Sequence, residues 1–257
     1  MCPPDHFSIE YEINPWMKTS DQVDPAAAAK EWQSLAYIYR SLKFEVETIK
    51  PAAGLPDMVF TANGGLVIGG KVMLPRFKYP ERQPETGQFK DWFEAAGFEV
   101  KLPRHDFEGE GDALVCGDLI MAGWGFRSDP AAHAELDTYF DETVVSLHLT
   151  DDRFYHLDTA LAVLDHSTIA YYPGAFDANS RRQLELLIPR TIKATEAEAE
   201  GFGLNLVSDG HNVVMSDRAQ TLAKQIEALG YKVHTTPIKE FQKSGGGVKC
   251  LTLELRT

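Results

Sequence analysis

Cysteines are few in this chain, and they lie far apart. Only Cys2, Cys116 and Cys250 occur in 257 residues, an odd number too small for a disulfide framework, and no two stand at the C-x-x-C spacing of many metal sites. An excess of positive charge is also missing, since 38 acidic residues outnumber 25 basic ones and the formal net charge is -13. Without a positive field we expect no binding to nucleic acid or to anionic membranes.

Long apolar runs are absent as well. No stretch reaches the roughly 18 to 20 apolar residues of a membrane-spanning helix, and the first residues lack the basic and apolar regions of a signal peptide. We therefore expect a cytoplasmic protein. No linker rich in proline, serine or glycine divides the chain, so residues 1–257 are predicted to form a single domain, for which 44% apolar residues can build one sizeable core.

What the sequence does contain is a repeated order of predicted elements. Helical apolar spacing followed by a short β-rich stretch occurs five times, in residues 26–49, 88–102, 131–149, 180–192 and 219–237. Predicted hairpins lie between them and turn at Gly69-Gly70, Gly117-Asp118, Asp165-His166 and Asp209-Gly210. A fifth hairpin requires residues 251–255 to pair with residues 7–13. The pattern predicts an α/β fold of five hairpin-helix-strand units, closed into a ring because no polar capping unit is visible.

Polar residues precede each predicted hairpin at the same place in the unit. They are Asp57 and Asn63, then Glu108, Glu110 and Asp112, then His156 and Asp158, then Asn205, and finally Cys250. Equivalent positions of a ring with pseudo-fivefold symmetry point at the same axis. The topology therefore predicts one central cavity that contains a thiol, an imidazole and several carboxylates.

Cys250 is the cysteine with the strongest signal for chemistry. It follows Gly245-Gly246-Gly247, and three consecutive glycines indicate a place where the backbone approaches a ligand or takes positive φ. A nucleophile on this loop and a buried structural cysteine are equally compatible with the segment. Cys116 lies within an apolar strand and is expected to be a core residue.

His156 and Asp158 stand two residues apart and share one face of an extended segment. A lone histidine beside aromatic residues is more often structural, but the neighbouring carboxylate favours a proton acceptor next to a cation-binding group. No second histidine or cysteine stands at metal-ligand spacing from His156, so we expect neither a metal nor another cofactor.

The segment F-E-G-E-G-D at residues 107–112 places three carboxylates directly before an apolar strand. Glu108, Glu110 and Asp112 form either a solvated acidic turn or a group bordering the core, which would need cationic partners. One of them can orient the imidazole, while another ties down the loop through backbone amides. Asp57, Asn63 and Asp112 are either turn residues or substrate-binding groups.

Three arginines follow hairpin strands in turn contexts. Arg76, Arg82 and Arg127 can each bind a substrate carboxylate through two parallel hydrogen bonds. Taken alone, each is more typical of a surface arginine.

Four ordered segments resemble the guanidino-group-modifying enzymes, a superfamily with dimethylarginine dimethylaminohydrolase, arginine deiminase, succinylarginine dihydrolase and the amidinotransferases. The segments are P-D-M-V-F-T-A-N (56–63), F-E-G-E-G-D (107–112), F-Y-H-L-D (154–158) and G-G-G-V-K-C-L-T (245–252). The resemblance extends from N-P-W-M at residues 14–17 to Cys250. It implies the five-bladed α/β propeller, or pentein fold, in agreement with the five repeats.

The resemblance also implies roles for individual residues. Cys250 corresponds to the covalent nucleophile, His156 to the general acid/base, and Glu108 or Glu110 to the acid that orients the histidine. Asp158 resembles the guanidinium-binding acid of the deiminases and amidinotransferases. Dimethylargininases usually carry a Glu-Asp pair where this chain has Ala62-Asn63, which is closer to succinylarginine dihydrolase.

These observations predict a thiol-dependent hydrolase acting on the guanidino carbon of a small cationic substrate through a thiouronium intermediate. A methylated arginine, giving citrulline and an amine, is the first expected substrate. Deimination or dihydrolysis of arginine or succinylarginine, transfer of the amidino group to an acceptor amine, and non-catalytic binding of a small cation are the alternatives. The sequence does not decide whether the chain forms a homo-oligomer.

Overall fold

Four three-stranded sheets form the framework of the protein in a computed structural model that describes residues 1–256. In each sheet two strands form an antiparallel hairpin, and the third strand runs parallel to the second. The strands are β1 Leu66–Ile68, β2 Lys71–Met73, β3 Glu99–Lys101, β4 Ala113–Cys116, β5 Leu119–Trp124, β6 Thr143–His148, β7 Leu161–Asp165, β8 Thr168–Tyr171, β9 Arg190–Lys193, β10 Val207–Ser208, β11 Asn212–Ser216 and β12 Lys232–Thr236.

One main helix connects the second and third strands of each sheet. The helices are α1 Pro25–Ser41, α2 Glu85–Ala95, α3 Ala131–Phe140, α4 Leu157–Ala160, α5 Ala178–Leu187, α6 Glu196–Glu200, α7 Gln220–Ala228 and α8 Lys239–Gln242. Local sequence explains several of their ends. The Asp24 side chain accepts hydrogen bonds from the amides of Ala26 and Ala27 at the start of α1, and Gly97 and Gly230 take φ of +86° and +99° just after α2 and α7.

The four predicted hairpins are confirmed, together with the helix and parallel strand that follow each one. In the first hairpin Leu66 pairs with Met73, and the turn residues Gly69 and Gly70 have φ of +57° and +77°. A two-residue turn with positive φ at both positions matches the right-handed twist of the flanking strands. The α/β architecture therefore follows from local pattern in these four units.

The fifth hairpin prediction is wrong, because neither residues 7–13 nor residues 251–255 form a strand. Phe7 instead packs its ring on Phe241, with centroids 5.1 Å apart, and edge-on against Phe60. The other segment begins as a turn, in which the Leu251 amide bonds to the Gly247 carbonyl at 3.2 Å. The packing of Phe7 fixes the first segment, and the turn occupies the Leu251 amide, a backbone donor that a β-ladder would need.

Four hydrophobic clusters fill the space between sheets and helices. The largest spans β4 to β12 and the helices between them, and a second joins α1, α8 and the segment around Cys250. Cys116 is buried in the first, as predicted. Among residues 1–256, no helix combines the length and the apolar character that crossing a membrane requires.

Candidate active site

Five chain segments meet at one end of the sheets, each just before the strand, or the C-terminal segment, that begins its unit. Hydrogen bonds connect these segments in ring order. The bonds run from Asn63 Nδ2 to the Glu108 carbonyl (3.0 Å), between His156 Nε2 and Glu108 Oε2 (2.7 Å), from Asn205 Nδ2 to the Asp158 carbonyl (3.0 Å), from the Cys250 amide to Asn205 Oδ1 (3.0 Å) and from the Ala62 amide to the Cys250 carbonyl (3.1 Å). The structure thus brings together Asn63, Glu108, His156, Asn205 and Cys250, one from each segment, whereas Glu110 and Asp112 have other partners.

A small pocket opens at this meeting point. Cys250 and His156 both line it, together with Asp57, Asn63 and Tyr155. The pocket is therefore polar and partly charged, and it contains the predicted thiol and imidazole.

The Cys250 thiol is held between two polar side chains. It donates a hydrogen bond to Asp158 Oδ2 at 3.2 Å and accepts one from Asn205 Nδ2 at 3.1 Å. Burial, followed by the negative charge of Asp158, raises the pKa of Cys250 well above its ordinary value. The thiol is therefore protonated at neutral pH.

The glycine loop before Cys250 is required by close approach. A Cβ on Gly246 would lie 2.1 Å from the Phe60 ring, and one on Gly247 would lie 2.6 Å from Asn205 Oδ1. Any side chain at either position would displace groups around the thiol. The loop thus places the Cys250 backbone against the pocket wall at a distance that only glycine permits.

His156 is buried and bonds through Nε2 to Glu108 Oε2. Arg127 Nη1 donates to the same carboxylate oxygen at 2.9 Å, and its guanidinium lies over the rings of Tyr79 and Tyr155. Burial raises the pKa of Glu108, but Arg127 and His156 outweigh it and hold this pKa well below the usual range. Glu108 is consequently an anion that fixes the imidazole in one orientation.

Glu110, the second candidate for orienting His156, lies elsewhere. Its carboxylate accepts a hydrogen bond from Lys249 Nζ at 2.6 Å and another from Arg256. Along residues 109–111 the chain makes a tight helical turn, so that Glu108 and Glu110 are directed to different partners. Among the two acids, only Glu108 contacts the imidazole.

Asp112 also faces away from the pocket, although it was predicted to contact substrate. Its Oδ2 accepts from Ser128 Oγ at 2.6 Å, and its Oδ1 accepts from the Leu157 amide at 3.1 Å. Both oxygens are thus engaged in supporting the turn that carries His156. Burial raises the pKa of Asp112 to about 6.

Two carboxylates have one oxygen without a partner. Asp57 Oδ1 and Asp158 Oδ1 are buried and accept no hydrogen bond from residues 1–256, while their second oxygens accept from Tyr11 and Cys250. Burial raises the pKa of both acids, in Asp158 to about 7. Buried, unsatisfied carboxylate oxygens are costly unless a cation or donor completes them, so this arrangement is suited to a positively charged ligand.

The three arginines predicted to bind substrate have different positions. Arg82 lines the pocket, where its guanidinium bonds to both oxygens of Glu85 and to Asn63 Oδ1, and Arg127 lines it beside Glu108. Arg76 is exposed and donates from Nε to the Pro103 carbonyl instead. The prediction for Arg76 is therefore wrong in its placement, since a strand-like bridge with Phe107 directs it away from the pocket.

The sequence does not predict the contacts of three residues that contribute to the site, namely Asn205, Asn14 and Ser244. Asn205 was recognised only by its position before a hairpin, yet its side chain bonds to both the thiol and the amide of Cys250. Asn14 lines the pocket and donates to the carbonyl of Ser244, whose own hydroxyl is buried without a partner among the described residues. The unit position was the available signal for Asn205. No local pattern indicates a contact between residues 230 positions apart.

Clusters of three or more histidine, cysteine or carboxylate side chains able to hold a metal ion are absent from residues 1–256. The polar groups around the thiol are instead paired with one another or, in Asp57 and Asp158, have one oxygen open. Of these two acids Asp57 lines the pocket, and Asp158 is bonded to the thiol that lines it.

Comparison with known proteins identifies the relatives of the chain. The model of a family described as N,N dimethylarginine dimethylhydrolase, eukaryotic, matches residues 3–257. The chain is 46% identical to an N(G),N(G)-dimethylarginine dimethylaminohydrolase of Mycobacterium tuberculosis, over 99% of the chain and 84% of that protein. It is 44% identical to the bifunctional arginine dihydrolase/ornithine cyclodeaminase ArgZ of Synechocystis, where the match covers 99% of the chain but 37% of the longer relative.

Solved structures agree with these matches. The substrate-bound N-terminal domain of ArgZ, described as an arginine dihydrolase of cyanobacteria, superposes with a TM-score of 0.96 at 43% identity, covering 100% of this chain and 97% of that one. A complex of an AgrE variant with L-arginine gives 0.95 at 41% identity, over 100% and 40% of the two chains. A dimethylarginine dimethylaminohydrolase adduct with S-methyl-L-thiocitrulline gives 0.81 at 19% identity, over 92% and 91%, and supports the fold alone.

Proposed function

Because the chain belongs to the N,N-dimethylarginine dimethylaminohydrolase family, we propose that it hydrolyses a C–N bond at the guanidino carbon of free arginine or of a methylated arginine, with Cys250 as the nucleophile. Membership makes it a hydrolase of C–N bonds in amidines. One observation carries the choice of residues: Cys250 and His156 line the same pocket, the Cys250 thiol is bonded to Asp158 and Asn205, and the imidazole is bonded to Glu108.

The unpaired oxygens of Asp57 and Asp158 are the groups that would receive the guanidinium. A planar delocalised cation is a weak electrophile, and carboxylates fix it in the plane required for attack. The same positive charge opposes the effect of burial on Cys250 and lowers the pKa of the thiol. Binding of the cation is therefore proposed to release the thiol proton to water and so to generate the thiolate that reacts with the cation.

The reaction then proceeds in two halves. The Cys250 thiolate forms a bond to the guanidino carbon, and the C–N bond to the departing amine breaks as His156 donates a proton to that amine. His156 next takes a proton from water, the resulting hydroxide adds to the thiouronium carbon, and the C–S bond breaks to return Cys250. Glu108 holds the imidazole through both halves.

Two substrates have specific support. Arginine is supported by the ArgZ and AgrE relatives, whose structures are described with substrate and L-arginine, and by Asn63, a neutral residue where dimethylargininases usually carry an acid. Dimethylarginine is supported by the family match and by the relative from M. tuberculosis. We propose arginine as the first substrate to be tested.

The test is product analysis with purified protein. L-Arginine, asymmetric dimethylarginine and succinylarginine are incubated separately, and citrulline, ornithine, ammonia and dimethylamine are quantified, with Cys250→Ser as the matched control. Ammonia with citrulline or ornithine from arginine is expected. Formation of a new amidino compound only when glycine is added would instead indicate amidino transfer, and binding without turnover of any substrate would contradict the proposal.

We also propose that the units form one domain with the five-bladed ring of the propeller fold. The hydrogen bonds that connect five segments in order around the pocket support this arrangement. The fifth unit would then consist of the chain ends and α1, without a regular hairpin.

A further inference from the structure

A group of four charged residues, of which Lys249 and Glu110 are buried and Glu254 and Arg256 partly exposed, lies next to Cys250 but outside the pocket. Lys249 directly precedes the cysteine, and its side chain is only 3% exposed. Its ammonium contacts Glu110 Oε2 at 2.6 Å and Glu254 Oε1 at 2.7 Å, and Arg256 bonds to the same two acids. Lysine is almost never buried in this way without paired acids, and we call these four residues the ion network.

The ion network has no part in the reaction described above. None of its members lines the pocket, and Lys249, Glu254 and Arg256 line a separate cavity beside β7 and β10. Two cations and two carboxylates make its formal charge zero. Glu110 nevertheless belongs to the same six-residue motif as Glu108, so the motif supplies one acid to His156 and another to the ion network.

Resting on the proposed role of Cys250 as nucleophile, we propose that Glu110 and Lys249 are positioning residues whose balanced charges set the protonation of the Cys250–Asp158 pair. The Lys249 backbone is covalently joined to the cysteine, and the Glu110 carboxylate fixes the ammonium on the side away from the pocket. Glu110 also accepts from the Glu254 amide at 3.0 Å, which fixes the segment following Cys250.

Charge in the ion network reaches the pair because water screens buried groups weakly. Lys249 opposes the rise that burial causes in the pKa of Asp158, and Glu110 adds to that rise. The titratable and charged groups on the pocket side of the pair are Tyr155, His156, Asp57, Arg82 and Arg127, and all of them are kept in the variants described below.

The direction in which each substitution shifts the two pKa values follows from the charge that it leaves. Glu110→Gln leaves the ion network with a charge of +1, which favours the thiolate and the carboxylate and lowers both pKa values of the coupled pair. Lys249→Met leaves -1 and raises them. A unit charge in a weakly screened environment shifts such values by on the order of one pH unit, or about tenfold in thiolate fraction below the midpoint.

The experiment measures the rate of alkylation of Cys250 by iodoacetamide against pH in the full chain. Peptide mass spectrometry follows Cys250 separately from Cys2 and Cys116. The variants are Glu110→Gln, Lys249→Met and the double variant, which restores zero charge. Matched controls are Glu94→Gln and Lys90→Met, since these residues form an exposed ion pair on α2.

The expected result is a midpoint lowered by about one unit in Glu110→Gln, raised by a similar amount in Lys249→Met and near the parent value in the double variant. A purely structural pair would shift the single variants in the same direction, and that result, or no shift at all, overturns the proposal. If Lys249→Met does not fold, Arg256→Met supplies the same sign from a more exposed position. Alkylation requires no turnover, so an active Cys250→Ser variant would refute the proposed function without altering this result.

Discussion

Asp158 is one of the two acids proposed to receive the cation, and replacing it separates the effect of charge from that of shape. Its side chain is buried, one oxygen lacks a partner among the described residues and the other accepts from the Cys250 thiol. Two unit charges about 4 Å apart at an effective dielectric of about 20 attract each other by about 4 kcal/mol, which corresponds to roughly a thousandfold in affinity. Asp158→Asn is expected to weaken L-arginine binding by about this factor.

The assay is calorimetric titration in a Cys250→Ser background, which prevents turnover. L-Citrulline has nearly the same shape but no charge, and its affinity should change by less than about tenfold because only hydrogen bonding is altered. Asp152→Asn is the control, since Asp152 is exposed on the short helical turn before His156. Equal weakening of arginine and citrulline would refute the reasoning and leave Asp158 as a support for the His156 turn.

Asp158→Asn is expected to weaken arginine binding but to make the Cys250 thiol of the unliganded protein more reactive. Since the negative charge of Asp158 contributes to the raised pKa of Cys250, Asp158→Asn in the otherwise unchanged chain should lower that pKa and speed alkylation at about pH 8. In the parent protein the pKa of Asp158 is raised to about 7 by burial. The carboxylate is therefore protonated as pH falls through this value, and arginine affinity should decline below it while citrulline affinity remains constant.

Three further substitutions test other parts of the site and core. Cys250→Ser should abolish turnover while the melting temperature stays within a few degrees, because a hydroxyl of high pKa is a poor nucleophile; activity near the parent level would exclude the covalent mechanism. His156→Gly should slow both half-reactions and let an adduct on Cys250 accumulate, so its absence in quenched samples by mass spectrometry would count against the assigned proton transfers. Phe241→Ala, at a fully buried ring packed on Phe7 and Phe60, should lower the free energy of unfolding in urea by about 3–5 kcal/mol, and a loss below about 1 kcal/mol would show that this contact is unimportant.

The four regular units were predictable because their signals are local. Hairpin turns such as Gly69-Gly70 and helix ends such as Gly97 depend on backbone conformations that few residues adopt. The fifth unit was not predictable in the same way. Whether residues 7–13 pair with a strand depends on where Phe7 finds its aromatic partners, and Phe241 lies near the opposite end of the chain.

The sequence predicts which residues of the repeated units lie near the site, but not which side chains contact one another. Periodic placement before the hairpins indicated that Glu108, Glu110, His156 and Cys250 would lie close together. It did not separate Glu108 from Glu110, because both are flanked by glycine and the difference comes from distant partners. The spacing of residues does not predict that the cation directly before Cys250 is buried. This cation, Lys249, binds Glu110, which therefore does not contact His156.

The ring of hydrogen bonds around the pocket has a consequence for biosynthesis. The bonds that close it join Ala62 and Thr61 to Cys250 and Leu251, so the two segments joined by these bonds are about 190 residues apart in the order of translation. A nascent chain that has emerged only through α7 has the imidazole and its carboxylate, but neither the nucleophile nor the last link. Hydrolytic capacity is therefore expected to appear in one step, after residue 250 has left the ribosome, and fragments ending earlier should be inert towards guanidino compounds. Such distant closure also predicts slow folding, limited by the search that brings the two ends together.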